Sequence, residues 1–177
     1  GKGVYYFANN NKYEGLWYID YQQGLGTMHY FNGDKYVGDW LADKRNGKGR
    51  YTWANGIYYD GDWKDDKKSG KGTYDWRDGS TYVGDMDNDM RNGQGKYTYA
   101  NGDVYTGGWK DDMMHGKGIY KFKNGDVYEG DYHDGERTGQ GVFIYSDKRK
   151  YVGQFKNGLM DGFGSYTWPD GSKYEGY

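Results

Sequence analysis

The chain has no cysteine, a single proline and few aliphatic residues. Without cysteine it forms no disulfide bond and has no thiolate metal site or cysteine nucleophile. Hydrophobic residues make up 34% of the 177 residues and aromatic residues 20%, so the side chains that usually fill a globular core are scarce. A disordered chain would be poor in aromatic residues as well. We therefore expect a folded protein whose core is built from rings.

Long apolar segments and an excess of one charge are also absent. No apolar segment approaches the roughly 18 residues of a membrane span, and no signal-like segment opens the sequence. The 24 Lys and Arg residues nearly balance the 26 Asp and Glu residues, which gives a net charge of −2. Nucleic-acid binding needs a basic surface, so no nucleic-acid partner is expected. The lack of cysteine fits the reducing cytoplasm.

A period of 23 residues runs through the whole sequence. Each complete unit opens with a motif such as YVGDW and continues with a G-x-G pair such as Gly47-Lys48-Gly49. The leading tyrosine, here called position 0, recurs at Tyr13, Tyr36, Tyr59, Tyr82, Tyr105, Tyr128, Tyr151 and Tyr174. We predict one continuous array over residues 1–177, with partial repeats at 1–12 and 174–177. Because both ends interrupt a repeat, we expect the chain to be a segment of a longer protein.

Side-chain alternation within a unit predicts β-strands. In the unit that starts at Tyr36, one face of the predicted strands carries the rings and glycines, namely Tyr36, Gly38, Trp40, Gly47, Gly49, Tyr51 and Trp53. The other face is mostly polar and charged. Glycine leaves a space into which the neighbouring indole can lie. The predicted fold class is all-β: an elongated, twisted, single-layer antiparallel meander of repeated β-hairpins.

The turn between units sets the register of the strands. Around Asn55-Gly56 the chain forms either a two-residue turn or a three-residue loop with the glycine in the left-handed conformation. Only the three-residue loop keeps every ring on one face, because it pairs Tyr51 with Tyr59. We therefore predict the three-residue loop. At the sixth unit Lys148 replaces the turn glycine, which predicts a left-handed lysine or a different turn.

The connection within each unit is the part that varies most from repeat to repeat. There we expect six-residue loops, such as the segment 64–69, which would pair Trp63 with Gly70. By the same register, both glycines of each G-x-G pair would lie in regular strands.

The segment YVGDWLADKRNGKGRYTWANG resembles a MORN (membrane occupation and recognition nexus) repeat, whose pattern is YxGxW, then GxG, then a closing glycine. The resemblance covers the whole chain, and the unbroken array is most similar to ciliary radial-spoke-head and cytoskeletal scaffold members. Membership implies a β-hairpin repeat rod. It also implies roles in cytoskeletal or ciliary assemblies, at membrane junctions, or beside a catalytic domain such as a lipid kinase.

The residue inventory predicts no catalysis, no cofactor and no small-molecule substrate. The three histidines lie in different repeats, no serine has a GxSxG context, and no GK is followed by serine or threonine, which excludes a phosphate-binding loop. Asp111, Asp112 and His115 offer metal-ligand atoms, but a solvated loop is the expected structure, so no metal site is predicted.

Two surfaces are candidates for binding. The aromatic face is either simply the core or an open groove that receives a protein partner or a second copy. Its candidate residues are Trp17, Tyr36, Trp40, Tyr51, Trp53, Tyr59, Trp63, Trp76, Tyr82, Tyr105, Trp109 and Trp168. The weaker candidate is a phospholipid contact through the basic cluster Lys148, Arg149 and Lys150.

These observations leave three hypotheses for function. The first is a protein-binding scaffold in the cytoplasm, associated with the cytoskeleton or a cilium. The second is a membrane-adjacent tether that binds anionic phospholipids, and the third is an accessory array of an enzyme whose catalytic domain lies outside this segment.

Overall fold

The structure, a computed structural model, describes residues 1–177 and contains β-strands but no helix. Sixteen strands pair in chain order in one antiparallel sheet. The predicted all-β antiparallel meander is therefore confirmed. The chain has no helix of the length and apolar character needed to cross a bilayer.

Contacts divide the chain into two compact units, residues 1–90 and 91–177. The first unit contains β1 (Lys2–Tyr6), β2 (Lys12–Tyr18), β3 (Tyr21–His29), β4 (Lys35–Leu41), β5 (Lys44–Thr52), β6 (Tyr58–Lys64), β7 (Lys67–Asp75) and β8 (Thr81–Asp87). The strand β9 (Met90–Thr98) begins at the boundary. The second unit continues with β10 (Val104–Lys110), β11 (Met113–Lys121), β12 (Val127–His133), β13 (Glu136–Ile144), β14 (Lys150–Lys156), β15 (Leu159–Thr167) and β16 (Lys173–Gly176).

The turn between repeats has the predicted three-residue form. The N–H of Gly56 donates to the carbonyl of Trp53 at 2.9 Å, and the N–H of Trp53 donates to the carbonyl of Ile57 at 2.8 Å. Gly56 has a φ of 91°, in the left-handed region. Tyr51 pairs with Tyr59, as expected. Lys148 adopts a φ of 77° within the same kind of turn, so the left-handed lysine is the alternative that holds.

The predicted six-residue loop within each repeat is wrong. Trp63 pairs with Lys68, not with Gly70, and the strands extend to a two-residue turn at Asp65-Asp66. Both aspartates have positive φ values, 48° and 68°, which is the pattern of a type I′ turn. Two consecutive residues with positive φ recur at this place in every repeat, although their residue types differ. They are 19–20, 42–43, 65–66, 88–89, 111–112, 134–135 and 157–158. Aspartate and asparagine tolerate this conformation better than other side chains do.

The first glycine of each G-x-G pair lies at a β-bulge instead of in a regular strand. Between Gly61 and Trp63 the register shifts, and Gly70 on the partner strand has a φ of 64°. The carboxylate of Asp62 accepts a hydrogen bond from the N–H of Lys71 at 2.9 Å, which satisfies backbone that the bulge leaves unpaired. The second glycine, Gly72, pairs directly with Gly61.

The space above each pair of facing glycines is filled mainly by a tyrosine, whereas we had predicted an indole. A Cβ on Gly72 would collide with the ring and hydroxyl of Tyr59. Tyr59 reaches this place because its hydroxyl donates to the carbonyl of Asp62 at 3.1 Å. The glycine pair therefore makes room for the leading tyrosine of the repeat, which is the core residue of each hairpin.

Candidate partner-binding face

Most leading tyrosines form the core and present no surface to a partner, whereas Tyr174 is 54% exposed. Six of them have no exposed area: Tyr13, Tyr36, Tyr59, Tyr82, Tyr105 and Tyr128. Burial raises the pKa of Tyr13 and of Tyr128 to about 12, and raises the pKa of Tyr36, Tyr59 and Tyr105 further. These phenols are therefore neutral and fixed in place at physiological pH.

Three of the four tryptophans at position 4, Trp40, Trp63 and Trp109, join consecutive repeats and are buried as well. Trp63 is 4% exposed, and its indole N–H donates to the carbonyl of Gly49 at 3.0 Å. Its ring meets Tyr59 edge-on at 5.3 Å and Tyr36 of the preceding repeat at 5.5 Å. Trp40 and Trp109 make the same indole bond to the preceding repeat, each at 3.2 Å. Such edge-to-face contacts add roughly 0.5–1.5 kcal/mol each beyond area burial.

Seven of the twelve predicted groove residues therefore lie in the core, where they line no groove. They are Tyr36, Trp40, Tyr59, Trp63, Tyr82, Tyr105 and Trp109. The five that remain accessible are Trp17, Tyr51, Trp53, Trp76 and Trp168. Trp17 lines an open cavity of about 720 Å³ together with Tyr5, Phe7 and Met28.

Long side chains at position 9 seal the core rings from solvent. The guanidinium of Arg45 lies 4.8 Å from the ring centre of Trp63 and 5.2 Å from that of Tyr51. Lys68 lies 5.3 Å from the ring of Trp53, and Arg91 lies 4.6 Å from that of Trp109. Cation–π contacts of this kind hold the aliphatic stems of these side chains over the rings. Sequence reasoning missed this cover because position 9 had been assigned to a loop.

An aspartate from the next repeat holds each of these position-9 residues. Asp66, the second residue of its turn, accepts a hydrogen bond from the N–H of Arg45 at 2.8 Å and from Nε of Arg45 at 3.0 Å. The N–H of Asp66 donates in return to the carbonyl of Arg45 at 3.0 Å. We call this arrangement the aspartate clamp. It recurs between Gln22 and Asp43, Lys68 and Asp89, and Arg91 and Asp112.

Replacing Asp66 by alanine is expected to lower the free energy of unfolding by about 1–2 kcal/mol, because it leaves a backbone N–H and a guanidinium without their acceptor. Urea unfolding followed by tryptophan fluorescence measures the loss. Asp65→Ala is the matched control, since Asp65 is also left-handed but its carboxylate contacts only the Asn46 amide at 3.4 Å. Equal losses for the two variants would argue against the clamp.

The rings at positions 15 and 17 remain mostly partly exposed and form a series of neighbouring rings within each unit, which we call the ring row. In the first unit the ring row consists of Tyr30, Tyr51, Trp53, Tyr74 and Trp76. In the second unit it consists of Tyr97, Tyr99, Tyr120, Phe122, Phe143, Tyr145, Tyr166 and Trp168, of which only Phe143 is buried.

Ring contacts and hydrogen bonds fix the geometry of the ring row. Trp53 stacks on Tyr74 at 5.4 Å, and Tyr74 stacks on Trp76 at 4.3 Å. The hydroxyl of Tyr51 donates to the carboxylate of Asp34 at 2.6 Å. Tyr120 makes the equivalent bond to Asp103 at 2.8 Å in the second unit. The ring row is therefore a preorganised apolar strip, and most of its members were absent from the candidates chosen by sequence.

The opposite face is mostly polar, as its alternation predicted, although it also carries exposed apolar side chains such as Val37 and Val83. Arg50 pairs with Asp60 at 2.8 Å, Lys117 pairs with Asp131 at 2.6 Å, and Lys48 pairs with Asp62. Exposed pairs of this kind contribute little stability. They neutralise one another, so this face offers no basic surface for a polyanion.

The basic cluster predicted to contact phospholipid is divided by the structure. Lys148 and Lys150 are exposed, but Arg149 is held within the chain. Its Nε donates to the Asp147 carboxylate at 2.7 Å, and its Nη1 donates to the hydroxyl of Tyr166 at 3.0 Å. Two lysines remain for a lipid headgroup, which is a weak electrostatic anchor at about 1 kcal/mol per residue.

The residues weighed as metal ligands do not meet as a group. Asp112 belongs to the aspartate clamp of Arg91, and the Asp111 carboxylate accepts a hydrogen bond from the Asn92 amide at 3.0 Å. His115 instead lies beside His133 of the next repeat, with ring centres 5.2 Å apart.

Comparison with known proteins identifies the repeat and the fold. A family model described as MORN repeat matches residues 1–12, 13–35, 36–58, 59–81, 82–104, 105–127, 128–148 and 151–173. No curated protein matches the chain.

Two solved structures share the fold at low identity. One is the TCP domain of Drosophila melanogaster SAS-4 in complex with a proline-rich motif of Ana2, with 15% identity, a TM-score of 0.54, and coverage of 99% of this chain and 89% of that one. The other is the G-box domain of the microcephaly protein CPAP, described with a suggested role in centriole elongation. It has 15% identity, a TM-score of 0.57, and coverage of 100% of this chain and 99% of that one.

Proposed function

The chain belongs to the MORN-repeat family, and from this premise we propose that it is a non-catalytic scaffold that binds a protein partner along its ring row. The observation that carries the proposal is the ring row itself. Its aromatic side chains stay partly exposed although the tyrosines and tryptophans beside them are sealed. Tyrosine and tryptophan are the side chains that most often anchor a protein interface. Rings that stay exposed beside a sealed core favour a binding surface over rings that serve only as core.

The geometry of the ring row favours an extended partner. Consecutive rings lie 4.3 to 6.1 Å apart and are held by ring contacts and tyrosine hydrogen bonds, so they lose little freedom on binding. Extended proline-rich segments dock on aromatic strips because their conformation is already formed. The solved TCP domain with this fold is described in complex with a proline-rich motif. A proline-rich segment is therefore the first partner chemistry to test.

We place this scaffold in a cytoskeletal assembly. The family resemblance includes cytoskeletal and ciliary scaffolds, and the CPAP domain with this fold is described with a role in centriole elongation. A repeated binding strip suits such an assembly, since several weak contacts on one partner add up through effective concentration.

Trp53→Ala and Trp76→Ala are each expected to weaken the binding of a proline-rich peptide at least tenfold, which corresponds to about 1.4 kcal/mol. Peptides selected on the unmodified chain from a displayed proline-rich library serve as probes, and fluorescence anisotropy measures their affinity. Tyr18→Ala is the matched control, because Tyr18 is an exposed ring outside the ring row.

Three outcomes would contradict the scaffold proposal. Peptide affinity that does not change in Trp53→Ala and Trp76→Ala would remove the ring row from binding. A dimer in sedimentation that the same two variants abolish would make a second copy, and not a separate protein, the occupant. Cosedimentation with phosphatidylserine vesicles that fails only in the Lys148→Gln, Lys150→Gln double variant would favour the membrane tether.

A further inference from the structure

The junction between the repeats that start at Tyr105 and Tyr128 lacks the aspartate clamp. Glycine replaces the clamping aspartate at two junctions, as Gly135 here and as Gly158 at the next one, where Arg137 still occupies position 9. Here position 9 is Met114 instead of a long polar side chain. Only the backbone bond remains, from the N–H of Gly135 to the carbonyl of Met114 at 2.9 Å. Both side chains of the clamp are thus missing at one junction.

A cluster of three metal-ligand side chains stands at this same junction. His115 comes from β11, His133 ends β12, and Asp134 is the first residue of the turn that follows. One ligand atom from each lies within 4.8 Å of the other two. The Asp134 carboxylate lies 3.5 Å from Nδ1 of His133 and 4.0 Å from Nδ1 of His115.

The environment of Nδ1 of His115 indicates that this atom binds a ligand. This atom is buried and has no hydrogen-bond partner. An unpaired buried polar atom carries a free-energy cost, so most such atoms in proteins have a partner. His133 and Asp134 are largely exposed, with 68% and 59% of their side chains accessible, and they are free to rotate towards His115.

The ligand chemistry selects the class of metal. Two imidazole nitrogens and one carboxylate oxygen suit Zn²⁺, whereas Ca²⁺ and Mg²⁺ prefer oxygen ligands alone. Ligand atoms around a tetrahedral zinc ion lie roughly 3.3 Å from one another, given bonds of about 2.0–2.1 Å. The ligand atoms, which lie up to 4.8 Å apart, therefore have to approach one another by up to about 1.5 Å, and one coordination position stays open for water.

We propose that His115, His133 and Asp134 bind a single Zn²⁺ ion, which cross-links β11 to the turn after β12 and takes the place of the aspartate clamp. The ion joins two adjacent repeats through side chains, as Asp66 does for Arg45 in the first unit. Its role is structural, since three protein ligands on two consecutive hairpins restrict how far these hairpins separate.

Isothermal titration of the untagged chain with ZnCl₂ tests the site. We expect a single ion bound per chain in the micromolar range, with affinity at least tenfold lower in His133→Gln and in His115→Gln. His29→Gln is the matched control, because His29 pairs with Glu14 in another repeat and belongs to no cluster of metal ligands. Excess Zn²⁺ is expected to raise the unfolding temperature by about 5 °C in the unmodified chain and in His29→Gln. It should not raise that of His133→Gln.

His133→Gln is the decisive variant, because an exposed side chain is replaced without loss of packing. Absence of Zn²⁺ binding, or equal binding by the unmodified chain and His133→Gln, overturns the proposal. Loss of binding in His29→Gln overturns it as well, since the ion would then lie elsewhere.

Discussion

Alanine in place of Gly61 is expected to lower the free energy of unfolding by about 3 kcal/mol or more. A Cβ on Gly61 would lie 2.5 Å from the Cα of Gly72 and closer still to the carbonyl oxygen of Lys71. Both atoms belong to the backbone of the adjacent strand, which cannot rotate away as a side chain does. The two strands would have to separate, and Tyr59, which packs over this glycine pair, would lose its place.

Gly56→Ala is the matched control for the glycine prediction. Gly56 has a φ of 91°, but nothing lies within 4 Å of the Cβ that alanine would add. The change therefore costs only the left-handed backbone strain, about 1–2 kcal/mol. Urea unfolding followed by tryptophan fluorescence compares the two variants. A loss for Gly61→Ala no larger than that for Gly56→Ala would show that the facing glycines are not needed for close strand approach.

The same contact recurs in other repeats and extends the prediction. Added Cβ atoms on Gly107 and Gly153 would lie 2.5 Å and 2.6 Å from the Cα of the facing glycine. Each repeat thus has a place where two backbones meet without side chains and a tyrosine ring covers both. This requirement explains why the glycines keep their spacing through the array.

The fold was predictable because two local signals agree. Alternation places Tyr36, Gly38 and Trp40 on one face, and the three-residue turn at Gly56 is the only loop that keeps this face continuous. A period without insertions then makes every hairpin equivalent. The alternation, the turn and the period all favour the same structure, so the antiparallel order of the strands follows from the sequence alone.

The type I′ turns were missed because five of the seven contain no glycine. Asp65 and Asp66 adopt left-handed φ values that cost energy for a residue with a Cβ. The compensation is the hydrogen bond that Asp66 receives from Arg45 of the preceding repeat, 21 residues earlier in the chain. A contact between repeats stabilises a local conformation here, and no local pattern shows it.

The candidate site was only partly predictable for the same reason. Sequence alternation places Trp53 and Trp63 on one face but does not distinguish their burial. Trp63 is sealed by Arg45 and by Tyr36, whereas Trp53 contacts mainly Tyr51, Tyr74 and the end of Lys68. The difference depends on the register after the bulge, which brings position 9 over the position-4 ring. Which rings face a partner is therefore a property of the register.

Alkaline pH is expected to unfold the chain. The pKa of Tyr13 and Tyr128 is raised by burial to about 12, and the pKa of Tyr36, Tyr59 and Tyr105 is raised further. In the unfolded chain these phenols ionise near their ordinary pKa of about 10. Between the two values the folded state keeps protons that the unfolded state has released, so stability falls as pH rises. Below about pH 10 both states are protonated, and this effect is absent.

The size of the alkaline effect follows from the number of buried phenols. Each contributes about 1.4 kcal/mol per pH unit above 10, so five together remove roughly 7 kcal/mol at about pH 11. That loss is comparable with the whole stability of an ordinary domain, about 5–15 kcal/mol.

The β-sheet signal in circular dichroism should therefore be lost in the same pH interval in which the buried tyrosines ionise, above about pH 10. The absorbance of their phenolate form measures this ionisation. Tyr59→Phe removes one such phenol and should shift the midpoint to higher pH, whereas Tyr18→Phe, at an exposed ring, should leave it unchanged. Ionisation of every tyrosine near pH 10 with the circular dichroism intact would contradict a core built on neutral, fully buried phenols.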